Sequence, residues 1–160
     1  MSAEGTQLQL EAVLEQQAHC STELLQCLEA ERKALAERDT DALEKISQDK
    51  SNHTRVLEEL ETRRRQLVCD LDCGTDADGM QRCLEKFGEG TRLASLWNRV
   101  IRNIAECRDN NIANGAVLEI GRQHVEQALA ILRGNTAEPA VYDAQGGAAS
   151  ALGQRELGKV

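Results

Sequence analysis

The sequence predicts an all-α protein, and three observations support that prediction. Proline occurs once in 160 residues, and aromatic residues make up only 2% of the chain. The most frequent residues include Leu, Ala, Glu, Gln and Arg, which form helices readily and strands poorly. Apolar residues recur in steps of three and four over long stretches, as they do in helices that pack like a coiled coil. We therefore expect an elongated antiparallel three-helix bundle with coiled-coil-like packing, a short helix in the 70–90 loop and a flexible C-terminal tail.

The charge and the N-terminal residues exclude several classes of protein. The net charge is -8, from 19 basic and 27 acidic residues, whereas a nucleic-acid-binding face must be basic. No apolar run approaches the roughly 20 residues that span a bilayer, and acidic residues stand where a signal peptide has a basic start. We expect a cytoplasmic protein with no nucleic-acid partner and no membrane insertion, whose six cysteines are reduced thiols.

The first helix is predicted from about Thr6 to Arg38. Its seam comprises Leu10, Leu14, Gln17, Ser21, Leu24, Leu28, Glu31 and Leu35. The stretch "RDTDALEKI" then interrupts the pattern. Asp41 with Glu44 resembles a capping box, although Thr40 or Asp39 could also cap. We expect a second helix from near residue 41, and the short connection predicts an antiparallel hairpin.

The second helix keeps its spacing from Leu43 to Leu71, but Lys50 and His53 occupy the middle of its seam. That part should pack loosely or lie at an edge of the bundle. The following stretch, "DLDCGTDADGMQRCLEKFGEG", is rich in Gly and Asp. It predicts a loop that holds one short helix around Met80 to Phe87.

The third helix should begin near Thr91 and run to Leu132. The Asn-rich stretch "NNIANG" would ordinarily indicate a turn, yet the apolar spacing continues through it without a slip. A turn at Asn114 and Gly115 would reset that phase, so we expect one continuous helix. Gly134 and Asn135 should end it, which gives a bundle domain over residues 1–135 and a flexible, partner-binding tail over 136–160.

Two polar residues on the third helix, Asn111 and Asn114, lie on its buried or groove-facing stripe. They either fix the register of the helices at some expense of stability or bind a partner directly, and the sequence leaves both open. Gly115 and Gly121, which lack side chains, should permit close helix approach.

The loop carries weak metal motifs. In "GTDADGMQRCLE", Asp76, Asp78, Gly79 and Glu85 fall at EF-hand positions, but the first carboxylate of that motif is missing. A solvated acidic loop is the preferred interpretation.

The cysteines and histidines likewise indicate no catalytic or metal site. Cys69, Cys73 and Cys83 have no histidine nearby and lack the paired spacing of a zinc site. The other three, Cys20, Cys27 and Cys107, lie on or beside helix seams and suit a core. His19, His53 and His124 lie on different helices, and no catalytic constellation is recognisable. We expect a protein without enzymatic activity, metal or cofactor.

Three stretches resemble FlgN-type flagellar export chaperones. They are the Leu/Glu/Arg-rich "LLQCLEAERKALAERDTDALEKI", the "NNIANG" motif in the last long helix and the tail "VYDAQGGAAS". The resemblance implies a non-enzymatic type III secretion chaperone that binds hook–filament junction proteins. Such a chaperone masks the terminal helices of these proteins and delivers them to the flagellar export apparatus, without cofactors. The particular junction protein, the stoichiometry and the formation of a homodimer are not determined by the sequence.

The expected contact surface combines the end of the third helix with the tail. The final turns of that helix should have the least intramolecular cover, and the tail adds scattered apolar anchors that can order on a partner. Alternatively, the tail folds back on the same stripe. The predicted partner-binding residues are Asn111, Asn114, Val125, Leu129, Leu132, Tyr142, Leu152 and Leu157. Two other functions stay open, a generic coiled-coil adaptor or scaffold and a cysteine-dependent metal or redox protein.

Overall fold

The computed structural model describes residues 2–133, and this part of the chain forms four helices. They are α1 (Ala3–Glu37), α2 (Thr40–Asp70), α3 (Gly79–Phe87) and α4 (Arg92–Leu132). No strand occurs within this range, which confirms the all-α class. None of these helices has both the length and the apolar character needed to cross a membrane. The chain divides after Glu119 into two units.

The turn between α1 and α2 is only two residues long. Arg38 adopts a left-handed conformation (φ 55°), and its backbone N–H donates to the carbonyls of Ala34 and Leu35. Asp39 then caps α2, and its carboxylate accepts from the backbone N–H of Ala42 at 3.1 Å. Of the three candidates Asp41, Thr40 and Asp39, the cap is Asp39, and the capping box with Asp41 is wrong. Asp39 is better placed because its side chain precedes the first helical residue, where unpaired N–H groups need an acceptor.

The two helices of this hairpin run antiparallel. Three contacts between them occur in opposite order along the two sequences: Gln17 to Glu61, Cys20 to His53 and Glu31 to Lys50. The buried residues of α2 are Leu67 and Val68, close to its C-terminal end. No residue in the middle of α2 is buried, in line with the prediction that this part packs loosely or lies at an edge of the bundle.

The main core lies at the end of the hairpin far from Arg38. It combines one face of α1 with the end of α2, the following loop, α3 and the start of α4. Its buried members are Leu10, Val13, Leu14, Ala18, Leu67, Val68, Leu71, Cys73, Met80, Cys83, Leu84, Leu93, Ala94 and Val100. A second, smaller cluster joins Leu24, Leu28 and Cys107. The core is aliphatic, as the composition predicts.

Arg82 of the short helix α3 organises the loop before it. Its Nε donates to the carbonyl of Cys73 at 2.7 Å, and its guanidinium pairs with Asp76. Asp76, which the calcium interpretation needs as a ligand, is thus already neutralised by a side chain of the same loop. Cys83 lies in the core, where burial, followed by the neighbouring Cys73, raises the pKa of its thiol to about 12. Such a thiol stays protonated and unreactive.

Helix α4 is continuous from Arg92 to Leu132, so the predicted passage through Asn111 and Asn114 without a turn is confirmed. For Gly115 the expectation of close helix approach is wrong. A Cβ added there would meet no described atom within 4 Å, and the same is true at Gly121 in the second unit. Gly115 faces open space, because α4 presents the preceding residue, Asn114, to its neighbour.

Candidate partner-binding surface

The NNIANG motif attaches α4 to α1 through Asn114. This side chain is only 2% exposed, and its Nδ2 has two hydrogens to donate. One hydrogen bond goes to the carbonyl of Leu28 at 2.9 Å and the other to Glu31 Oε2 at 2.8 Å. A buried amide with both donors satisfied holds one arrangement of the two helices.

Glu31 extends this contact to α2. Its other carboxylate oxygen accepts from Lys50 Nζ at 2.8 Å, and Lys50 also donates to Asn111 Oδ1 at 3.2 Å. Asn110, the first residue of the motif, accepts a hydrogen bond from Arg32. Side chains of α2 and α4 therefore converge on one carboxylate of α1 that is almost fully buried. Loss of any partner would leave that charge poorly compensated.

The structure distinguishes the two asparagines predicted to bind a partner. Asn114 lies inside the helix interface, where the register-setting alternative explains its hydrogen bonds. Asn111 is exposed. For both residues, direct contact with a partner stays a prediction.

Asn111 lies on the rim of a groove between α1, α2 and α4. The groove has a volume of about 370 Å³, which is enough for a few apolar side chains. Its apolar lining consists of Leu24, Leu28, Leu57, Ile104 and Cys107, and its polar lining consists of Lys50, Thr54, Arg108 and Asn111. An apolar floor with basic and amide groups around it suits the apolar face of an amphipathic helix.

Apolar side chains are also exposed along α4. Up to Glu119, the exposed ones are Ile101, Ile104, Ile112, Val117 and Leu118. None of these residues was among the predicted contacts, although Ile101 and Ile112 are eleven positions apart and therefore share one face of α4. Such exposure is typical of an interaction surface.

From Ile120 onward, the predicted contact residues of α4 are open to solvent. Val125 is 59% exposed, Leu129 41% and Leu132 82%, and Ile120 and Ile131 are exposed as well. The other predicted contacts, Tyr142, Leu152 and Leu157, lie outside the described residues. So do Gly134 and Asn135, the predicted end of the helix, and the proposed boundary after residue 135.

A second polar network joins α1 and α2 at Glu61. Burial opposes ionisation of this carboxyl, but hydrogen bonds and charge from Arg64, together with hydrogen bonds from Arg65 and Gln17, lower its pKa to about 2. Arg64 in turn stacks over the ring of Trp97, with its guanidinium carbon 5.0 Å from the ring centroid. The network thus connects α1, α2 and α4 near the main core.

A third cluster, which the sequence analysis missed, brings Cys20 and Glu23 of α1 against His53 of α2. The Cys20 sulfur lies 3.9 Å from His53 Nδ1, and the same nitrogen lies 3.8 Å from Glu23 Oε2. Burial, and then the charge of Glu23, raise the pKa of the Cys20 thiol. The available signal was the i,i+3 spacing of Cys20 and Glu23, which places both on one helix face.

These features define, over residues 2–133, an all-α protein whose long last helix leaves apolar side chains exposed. The model of the FlgN protein family matches residues 1–150, and the chain belongs to this family of flagellar export chaperones. Its membership places the chain in protein export and flagellum assembly. Searches of the curated proteins and of the solved structures return no significant match.

Proposed function

We propose that this chain is a cytoplasmic export chaperone for hook–filament junction proteins. In this role it binds their aggregation-prone terminal helices and delivers these proteins to the flagellar type III export apparatus. Family membership supports the general chaperone function. The observation that most favours helix binding is the set of exposed apolar side chains on α4.

The physical argument rests on the free energy of apolar surface. Each Å² of apolar area removed from water contributes about 25 cal/mol, so the exposed side chains of α4 favour a partner that covers them. A terminal helix with its own apolar face can pack against these side chains without folding into a domain first. Before export, such a helix would otherwise associate with other copies of the cargo.

The arrangement that we propose for this task is a bundle of three long antiparallel helices with coiled-coil-like packing. In it, the network around Glu31 holds the register of the helices while Asn111 borders the groove. Val125, Leu129 and Leu132 provide apolar contacts. Residues 136–160 act as a partner-binding tail, in which Tyr142, Leu152 and Leu157 are the anchors, because an aromatic ring with a polar tip is favoured at interfaces.

The test is a binding titration between the purified full chain and a junction protein, with a peptide of the junction protein's terminal helix as a second ligand. Val125→Asp and Leu129→Asp change exposed side chains, so both variants should keep the helicity of the native protein. We expect each to weaken binding of the cargo by tenfold or more, since a carboxylate would be desolvated in the contact.

The matched control is Leu8→Asp, which alters an apolar side chain on α1 that is 66% exposed. This variant should bind as the native chain does. If Val125→Asp and Leu129→Asp bound the cargo as tightly as the native chain does, a contact surface on α4 would be contradicted. If Leu8→Asp weakened binding as much as these two variants do, the loss could not be assigned to α4.

The exposed apolar side chains also suit the alternative of a coiled-coil adaptor that associates with itself. Sedimentation at increasing protein concentration separates the two functions. A stable homodimer that Val125→Asp dissociates, together with no binding of any junction protein, would favour the adaptor.

A further inference from the structure

We propose that Cys20, Glu23 and His53 form a zinc site that links α1 to α2. The three residues offer one thiol, one carboxylate and one imidazole, and their ligand atoms all lie within 4.8 Å of one another. Among the described residues, this is the group that can converge on one metal ion. This group does not include Cys69, Cys73 or Cys83, the three cysteines in and around the 70–90 loop.

The distances are close to those around a tetrahedral zinc ion. With Zn–S of about 2.3 Å and Zn–N or Zn–O of about 2.0–2.1 Å, tetrahedral angles place sulfur and nitrogen about 3.5 Å apart and nitrogen and oxygen about 3.3 Å apart. The observed separations from His53 Nδ1 are 3.9 Å to the Cys20 sulfur and 3.8 Å to Glu23 Oε2. Side-chain rotations that shorten these distances by about half an ångström would complete the geometry.

The donor set selects the metal. A thiolate disfavours Ca²⁺ and Mg²⁺, which prefer oxygen, whereas sulfur, imidazole nitrogen and carboxylate oxygen together suit Zn²⁺. Binding requires that the Cys20 thiol lose its proton to solvent and coordinate as the thiolate. No oxidation or reduction is involved.

The surroundings allow access and orient the carboxylate. The side chains of Glu23 and His53 are 44% and 26% exposed, so the metal can enter from solvent and water can fill the fourth position. His19 Nε2 lies 3.5 Å from the other oxygen of Glu23. A partner of this kind fixes the orientation of a metal-binding carboxylate.

The position of the site indicates what the metal would do. It crosses the hairpin where α2 contributes no buried residue, so coordination would supply cohesion that apolar packing does not. Leu24 and Leu57, which line the groove, each follow a ligand by one helical turn. A metal that fixes Cys20 and His53 would therefore also hold two walls of the groove in place.

The experiment uses the full chain, treated with chelator and a phosphine reductant and then titrated with Co²⁺ and Zn²⁺. We expect one Co²⁺ per chain, with a thiolate-to-cobalt charge-transfer band and the intense visible bands of tetrahedral Co²⁺, both abolished when Zn²⁺ replaces it. Zinc at a hundredfold excess over Kd should raise Tm by about 5–10 °C. Absence of a thiolate–cobalt band in the native chain would overturn the proposal.

Variants assign the ligands. Cys20→Ser should abolish the charge-transfer band, and Glu23→Gln and His53→Gln should weaken Co²⁺ binding by tenfold or more. Glu23 is well exposed, so Glu23→Gln tests the site even if Cys20→Ser unfolds, and circular dichroism reports helicity for each variant. The matched control is Cys27→Ser, a half-buried thiol of the same helix, which should bind Co²⁺ as the native chain does. A band that survives in Cys20→Ser, or disappears in Cys27→Ser, would assign the metal to another thiol and refute the site.

Discussion

Asn114 donates a hydrogen bond to Glu31 across the α1–α4 interface, with 2.8 Å between Nδ2 and Oε2. The two residues are 2% and 6% exposed. Because α4 is apolar along much of its length, hydrophobic packing alone would tolerate a shift of one helical turn. A shift that brings the following turn of α4 opposite Glu31 would place Leu118 beside the carboxylate, which would then lose a hydrogen bond in a buried environment. The pair therefore opposes that shift of α4 on α1.

Removal of the Asn114 amide should destabilise the fold. Asn114→Ala deletes both hydrogen bonds and leaves Glu31 with Lys50 as its partner, so we expect the free energy of unfolding to fall by about 1–3 kcal/mol in a urea titration. Asn111→Ala is the control, because this exposed residue of the same motif should change stability by no more than about 0.5 kcal/mol. Equal stability of Asn114→Ala and the native chain would refute the register function.

Acid should weaken the network at Glu61. The pKa of this carboxyl is lowered from 4.5 to about 2 in the folded protein, so the folded state favours the ionised form. The resulting stability is present above pH 4.5 and is lost as pH falls from about 4.5 towards 2. The side chain is 34% exposed, and after allowance for solvent screening we expect about 1–2 kcal/mol. Urea titrations at pH 6 and pH 3 should show a smaller loss of stability for Glu61→Gln than for the native chain, and an identical loss would contradict the assignment.

Substitution by alanine should have opposite effects on stability at two glycines, Gly115 and Gly79. Gly115 lies in the helix with open space around it, so Gly115→Ala should stabilise the protein by about 0.5–1 kcal/mol. At Gly79 a Cβ would lie 2.8 Å from Val68 Cγ1, so Gly79→Ala should destabilise the protein. Thermal unfolding of both variants measures the difference. A lower Tm for Gly115→Ala would show that another element packs closely on this position.

Deletion of residues 136–160 tests the proposed tail. We expect helicity and thermal unfolding to change little, because the buried core of the described residues lies before Asn114 or at it. Affinity for the junction protein should fall by tenfold or more, which corresponds to about 1.4 kcal/mol. If the shortened chain bound its cargo as tightly as the full chain, the contact surface would have to lie wholly within residues 1–135.

Helix periodicity determined most of what the sequence could predict. The seam of α1 is buried at Leu10, Leu14, Leu24 and Leu28, because a repeat of three and four residues places side chains on one face whatever the partner is. The apolar spacing also kept its phase through the NNIANG motif, and this correctly predicted that α4 continues through Asn114. Periodicity does not determine which residues of two helices lie opposite each other. Thus Cys20 against His53 escaped notice, since that contact depends on the register of the hairpin.

Periodicity also could not predict which apolar residues of α4 stay exposed, or whether its glycines contact another helix. A stripe of apolar residues shows that a helix has a face to cover, but not whether another helix of the chain covers it. Gly115 was therefore assigned to a close contact that does not occur. For the predicted tail contacts, composition was the only guide.

The uneven distribution of buried residues along the hairpin has a consequence for its local opening. Near Arg38, α2 contributes no buried residue, whereas its Leu67 and Val68 lie in the main core. Free energies of opening measured by amide hydrogen exchange should therefore rise along α2, from low values after Asp39 to the global value near Leu67. The end of the hairpin near Arg38 should therefore open locally while the other end stays folded, and a chain segment that enters there has fewer apolar contacts to replace than at the main core.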